Sequence, residues 1–227
     1  MSLSPAIIFT KANWWSLMIN YSVEAVELNK SFGRRLIFND LQFKFDKAGV
    51  YGISGPNGSG KSTLVKIIAG IIGASKGKII HKLNDKEITE VQLHDHIGFV
   101  SPYLVLYEEF STYENLNLVA DIRGIAFNKE RVDYLLNKFL LYKRKDDLLK
   151  TYSSGMKQRV KFIFALMHSP QLLILDEPTS NLDEEGKNSV YEIVKEEGQS
   201  NIVLIASNEK SDLELCSDIV YLEKYKN

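Results

Sequence analysis

Residues Gly55 to Thr63 read GPNGSGKST, and this short segment restricts the fold more than any other part of the chain. It follows the apolar run Gly49 to Ile53, which has the length and composition of a buried strand. A helical run opens at Lys61, continues to about Ile68 and stops at Gly70. A strand that turns through glycines into a helix aims backbone N–H groups and the positive end of the helix dipole at one point in space. Such a point binds an anion. Gly55, Gly58 and Gly60 permit the tight path, with Pro56, Asn57 and Ser59 between them. The spacing matches G-x-x-x-x-G-K-[ST], so Lys61 is expected on the β- and γ-phosphates of a nucleotide and Ser62 on Mg²⁺, with Thr63 closing the motif.

A second apolar run, Leu172 to Leu175, ends in the adjacent carboxylates Asp176 and Glu177. Carboxylates at a strand end downstream of a phosphate loop are placed to serve the metal and the attacking water. Asp176 is expected to hold magnesium directly or through one of the metal's other ligands, and Glu177 to act as the general base or water-orienting group. Upstream, Ser153 to Gly155 form a small-residue turn that opens an amphipathic helix over about Ser154–Met167. The first turn of that helix is again suited to an anion.

Around these motifs the chain alternates strands and helices. Val23–Leu28 and Leu41–Phe45 read as half-buried strands, and Gly77–Ile80, Ile97–Val100 and Ile202–Ala206 as further short ones. From about Thr112 to Lys150 only helical periodicity is visible, and a helix is expected around Glu184–Glu197, with a last helix and strand after Ala206. This alternation predicts a largely parallel sheet with helices on both faces. The 227 residues suit one domain. With 28 Lys and Arg against 29 Asp and Glu, there is no overall basic footprint for nucleic acid, and Lys143–Lys145 and Arg34–Arg35 read as solvated surface. The single cysteine, Cys216, fits a reducing compartment. No run is apolar for long enough to span a bilayer. Residues 1–20 are expected to be an extension, non-native or disordered, ahead of an internal start near Met18, and no further domain is expected after Tyr221.

With Gly55–Thr63, Ser153–Gly155, Asp176–Glu177 and Ser180–Asp183 in this order, the chain resembles the ATP-binding-cassette (ABC) ATPases over roughly Val23 to Glu223. The resemblance implies an α/β fold. A P-loop NTPase core with a mostly parallel sheet would carry an antiparallel β subdomain and an inserted helical subdomain at about residues 103–165, within one domain over residues 21–227. It implies ATP and Mg²⁺ as ligands, and two cassettes, identical or paired, closing head to tail on ATP. Ser153, Ser154, Gly155 and Met156 would then form the signature turn on the partner's nucleotide. Ser180, Asn181, Leu182 and Asp183 would line the seam, and Phe32 would stack on adenine. A cassette without a span of its own implies an integral membrane permease and a place on the inner, cytoplasmic face of the membrane. Its compactness looks like an exporter's cassette. The aromatic run Tyr103–Tyr113 would help receive a helix from the permease, unless its rings pack in the core.

Three positions depart from the family. The usual Leu-Ser-Gly-Gly-Gln signature is Tyr152-Ser153-Ser154-Gly155-Met156, which lacks the glutamine amide. Pro102 stands where a magnesium-sensing Gln is usual, with Ser101 or Tyr103 as the nearest substitutes. Asn208 stands where a His contacts the γ-phosphate; its amide can donate a hydrogen bond but cannot become cationic. These departures predict a slow ATPase that depends on its partner. Two other classes compete with transport. One is a soluble ABC ATPase of cofactor assembly, translation or DNA maintenance, although the chain has neither a second cassette nor a long coiled coil. The other is a nucleotide-gated module with negligible hydrolysis.

Overall fold

The computed structural model describes residues 20–226, so the expected extension lies, apart from Asn20, outside the described residues. Strands β1 (Tyr21–Phe32) and β2 (Arg35–Phe45) precede β3 (Gly49–Ser54) and helix α1 (Lys61–Ile68). Then come β4 (Lys76–Leu83), β5 (Lys86–Glu87), the one-turn helix α2 (Leu93–His96) and β6 (Ile97–Val100). Helices α3 (Thr112–Arg123), α4 (Lys129–Lys138) and α5 (Ser154–Leu166) follow. The chain continues with β7 (Leu172–Asp176), α6 (Glu184–Glu197), β8 (Ile202–Ser207), the short α7 (Lys210–Leu213) and β9 (Asp218–Tyr221).

Two sheets result, an antiparallel one in the order β2-β1-β4-β5 and a parallel one in the order β6-β7-β8-β3-β9. β1 and β2 are longer than their alternation of apolar and polar residues suggests. Glu27 adopts φ 46 and the β1–β2 register shifts between Ala25 and Leu28. Such a bulge moves following side chains to the other face and breaks the period-two signal.

The central parallel strands β7 and β8 are buried on both faces, which is why Leu172–Leu175 and Ile202–Ala206 read as unbroken apolar runs. Leu173, Leu175, Val203 and Ile205 join the cluster of Leu116, Leu135, Phe162 and Val190 from helices α3 to α6. Leu172, Ile174, Ile202 and Leu204 face the other way. Helices were expected on both faces; the second face carries α1 together with the antiparallel sheet, whose Val23, Leu28, Phe38 and Leu41 share its core.

The helical pattern expected as far as Lys150 stops earlier. Leu140 turns left-handed at φ 59, and the Leu141 N–H bonds back to the Leu136 carbonyl at 2.7 Å. This closes α4 by satisfying a last-turn carbonyl and returns Leu141 to the core. Two 3-10 turns, Tyr142–Arg144 and Leu149–Thr151, then lead to α5.

Candidate nucleotide site

Parallel pairing sets the site. Ser54 pairs with Ser207 and Asp176 with Ala206, so the loops leaving β3, β7 and β8 emerge side by side at one sheet edge. The loop after β3 arches with the Ser59 N–H donating to the Pro56 carbonyl at 3.0 Å. Gly60 precedes α1 at φ 108, and a Cβ there would lie 2.4 Å from Ile37 Cγ2. Left-handed backbone and close packing together require glycine. No side chain caps α1 and its first turn carries no acid, so its N–H groups and dipole remain for an anion.

Lys61 is only 5% exposed. Its Nζ donates to the Gly55 carbonyl at 2.9 Å and pairs with Glu177 Oε1 at 3.1 Å. Ser62 Oγ donates to Asp176 Oδ1 at 3.0 Å. Asp176 is fully buried, and burial pushes its carboxyl above the usual carboxylate range; the Ser62 hydrogen bond opposes the rise and the Glu177 charge adds to it. Its Oδ2 is buried without a hydrogen-bond partner. A bare carboxylate oxygen beside a serine hydroxyl suits a hard, oxygen-seeking divalent cation, so this pair fits Mg²⁺.

Glu177 takes φ 49, in the left-handed region that costs a non-glycine residue about 1 kcal/mol or more. Its N–H still extends the sheet ladder, donating to the Ala206 carbonyl at 2.8 Å. Asn208 Nδ2 donates to Asn57 Oδ1 at 3.4 Å, which sets Asn208 against the phosphate loop.

An open cleft of ≈ 450 Å³ is lined by Phe32, Arg35, residues Asn57 to Thr63, Tyr103 and Glu177. Phe32 is 53% exposed at the cleft, with Lys30 Nζ 4.7 Å from its ring centroid. Of the two substitutes for a glutamine at position 102, Ser101 is buried, whereas Tyr103 is 74% exposed and lines the cleft. The Tyr103 ring centroid lies 5.0 Å from Lys66 Nζ. The adjoining backbone is clamped by Lys161 of α5, whose Nζ donates to the Pro102 carbonyl at 2.7 Å and the Ser101 carbonyl at 3.4 Å. Burial holds that ammonium below the ordinary lysine range.

The remaining motif residues do not line this cleft. Ser153 caps α5, its Oγ accepting from the Met156 N–H at 3.2 Å, with Ser154 as the first helical residue. A Cβ on Gly155 would lie 3.1 Å from the Asn181 carbonyl and 3.8 Å from Leu182 Cδ2. Asp183 caps α6, accepting from the Gly186 N–H at 2.9 Å. Ser180 Oγ donates to the Glu177 carbonyl at 2.8 Å and so joins this second group to the first. Met156 meets Arg144, whose guanidinium lies 3.5 Å from its Sδ and 5.1 Å from the Tyr152 ring centroid. The second group is therefore a continuous patch beside the cleft. Arg144, Lys66 and Lys161 belong to no motif, and only their three-dimensional neighbours mark them.

A family model described as ABC transporter matches residues 38–180. The lantibiotic transport ATP-binding protein SrtF of Streptococcus pyogenes is 35% identical over 196 residues, which are 85% of this chain and 82% of that protein. The bacitracin transport ATP-binding protein BcrA of Enterococcus faecalis is 30% identical over 207 residues, covering 90% of this chain and 67% of its own. Among solved structures, an ABC transporter ATP-binding protein described as putative from Pyrococcus furiosus superposes with a TM-score of 0.78 at 26% identity, covering 91% of this chain and 100% of that one. A cbiO1 protein from Clostridium perfringens, part of the ABC transporter complex cbiONQ, gives 0.73 at 26% identity over 89% and 84% of the two chains.

Proposed function

Because the chain belongs to the ABC transporter family, we propose that this ATP-binding, ATP-hydrolysing subunit works as a dimer that drives a separate membrane permease. The relatives favour transport over a soluble role in cofactor assembly, translation or DNA maintenance. The observation that carries the dimer is the separation of two surfaces. The cleft holds Lys61, Ser62 and Glu177, whereas the turn Ser153–Met156 and the segment Ser180–Asp183 form a patch outside it. A second cassette, packed head to tail, brings its own patch over the nucleotide.

Lys61 is paired with Glu177. The phosphates of ATP draw Lys61 away, and Glu177 is released to accept a proton from the attacking water. The γ-phosphoryl group passes to that water, leaving ADP and phosphate. Ser62 and Asp176 would hold Mg²⁺, which when bound supplies neutralising charge to the β- and γ-phosphate oxygens. Phe32 stacks on adenine, and Asn208 donates its amide to the γ-phosphate. A neutral donor there is weaker than a cationic one, so turnover is slow without a partner. Asn208→His is expected to raise steady-state phosphate release about fivefold, equivalent to about 1 kcal/mol of barrier. Equal or lower turnover in a correctly folded variant would remove this account of the slow rate.

Among the described residues no helix is long and apolar enough to cross a membrane. The proposed station is the cytoplasmic face of the membrane, reached through the permease, as the likeness to transport ATP-binding proteins implies. One relative is named for lantibiotic transport and another for bacitracin transport, and a cargo of that kind is proposed here. Cassettes do not encode cargo directly, so the permease must be identified. Capture of the tagged chain from gently solubilised membranes is expected to bring down an integral membrane protein. Recovery of only soluble partners would overturn the transport reading.

A further inference from the structure

One buried carboxylate near the hydrolytic residues has no part in the chemistry above. Asp212, in α7, is 1% exposed. Three hydroxyls converge on it: Thr179 Oγ1 at 2.9 and 3.1 Å from its two oxygens, Tyr191 Oη at 2.9 Å and Ser207 Oγ at 2.7 Å. A carboxylate taken out of water needs donors in place of water, and these hydroxyls supply them. They come from three segments that matter to hydrolysis. Thr179 lies two residues beyond Glu177, Ser207 immediately precedes Asn208, and Tyr191 belongs to the helix capped by Asp183.

Donor bookkeeping sets the direction of each bond. Ser207 has one proton and two carboxylates within reach, and the shorter contact, 2.7 Å to Asp212 against 3.4 Å to Glu177, takes it. One Ser207 lone pair accepts the Glu209 N–H at 3.1 Å. The other is left facing Glu177 Oε2, 3.4 Å away. A lone pair offers nothing to an ionised Glu177. Once Glu177 has taken the proton of the attacking water, the resulting O–H can donate to it.

We propose that Asp212 is a positioning residue for hydrolysis: it fixes the Glu177 and Asn208 loops together and presents Ser207 Oγ as the acceptor for the proton that Glu177 gains. The proton stays on Glu177 while water oxygen bonds to the γ-phosphorus and the bond to ADP breaks. The inference rests on the reading of Glu177 as the base.

The test uses the full chain with Asp212→Asn, Ser207→Ala, the double variant and Glu177→Gln. Steady-state kcat and KM for ATP are measured beside direct binding of a fluorescent ATP analogue. An asparagine can donate to Ser207 and turn its proton toward Glu177, whereas alanine removes the acceptor. Each single variant is expected to lower kcat about tenfold with analogue affinity within about twofold, as for loss of a contact made in the transition state. The double variant should be no worse than the worse single one, because both act through one hydroxyl. Wild-type kcat in Ser207→Ala, or losses that multiply in the double variant, would overturn the proposal. If Asp212→Asn fails to fold, Ser207→Ala alone decides. Glu177→Gln separates the two levels. Should it keep wild-type turnover, the reading of Glu177 fails and takes this inference with it; should it lose turnover while Ser207→Ala keeps it, only this inference falls.

Discussion

Replacing Glu177 by Gln is expected to give a chain that binds ATP, barely turns it over and accumulates as an ATP-bound dimer. The loss follows from chemistry, since an amide cannot take the proton of the attacking water. General-base contributions of this kind are worth about 10²–10⁴-fold in rate. Binding should survive for a separate reason. The Glu177 carboxylate sits 3.1 Å from Lys61 Nζ, where it competes with incoming phosphates. A neutral side chain relieves that competition, so ATP affinity is expected to be equal or higher. Size-exclusion chromatography with ATP and Mg²⁺, alongside phosphate release, measures both effects. A variant that stays monomeric with ATP and Mg²⁺ would count against the two-cassette arrangement.

Lys61→Ala acts at the opposite step and should abolish binding at ordinary ATP concentrations. Removing one member of a desolvated, hydrogen-bonded charge pair costs about 2–5 kcal/mol, or about 30- to several thousand-fold in affinity. The fold should tolerate the change, because the partner left behind, Glu177, keeps a quarter of its side chain exposed at 26% and can be solvated. Titration with a fluorescent ATP analogue gives the affinity, and a thermal melt checks the fold. Near-native affinity in a folded Lys61→Ala chain would mean that phosphates do not sit where the loop Gly55–Gly60 converges.

Contiguity along the chain decides how much of this site the sequence displays. The phosphate loop was readable because its parts are contiguous and a strand and a helix flank it in order. The carboxylates were readable because an apolar strand ends on them. What joins the two was not readable. Ser62 meets Asp176 across 114 positions and Asn208 meets Asn57 across 151, distances closed only by the order β7-β8-β3 in the sheet. The left-handed backbone of Glu177 carries no composition signal, because left-handed turns are usually announced by Gly or Asn. Asp212 lies in a four-residue helix of mostly polar residues, where nothing local distinguishes a surface acid from a buried one. The early end of α4 was hidden similarly, since Leu140 continues the apolar pattern while leaving the helix.

The packing of Gly155 against the Asn181 carbonyl bears on the cost of assembly. The turn that opens α5 and the loop that opens α6 are distant in the chain, yet a side chain as small as alanine's would crowd the contact between them. In the proposed dimer they would meet a partner as one preformed facet, with both loops already capped by Ser153 and Asp183. Ordering loops during association would consume part of the interaction energy, and here that ordering is completed during folding. In the proposed dimer each facet closes over the nucleotide in the other cassette's cleft, so little of the energy of ATP-driven association is taken up in ordering it.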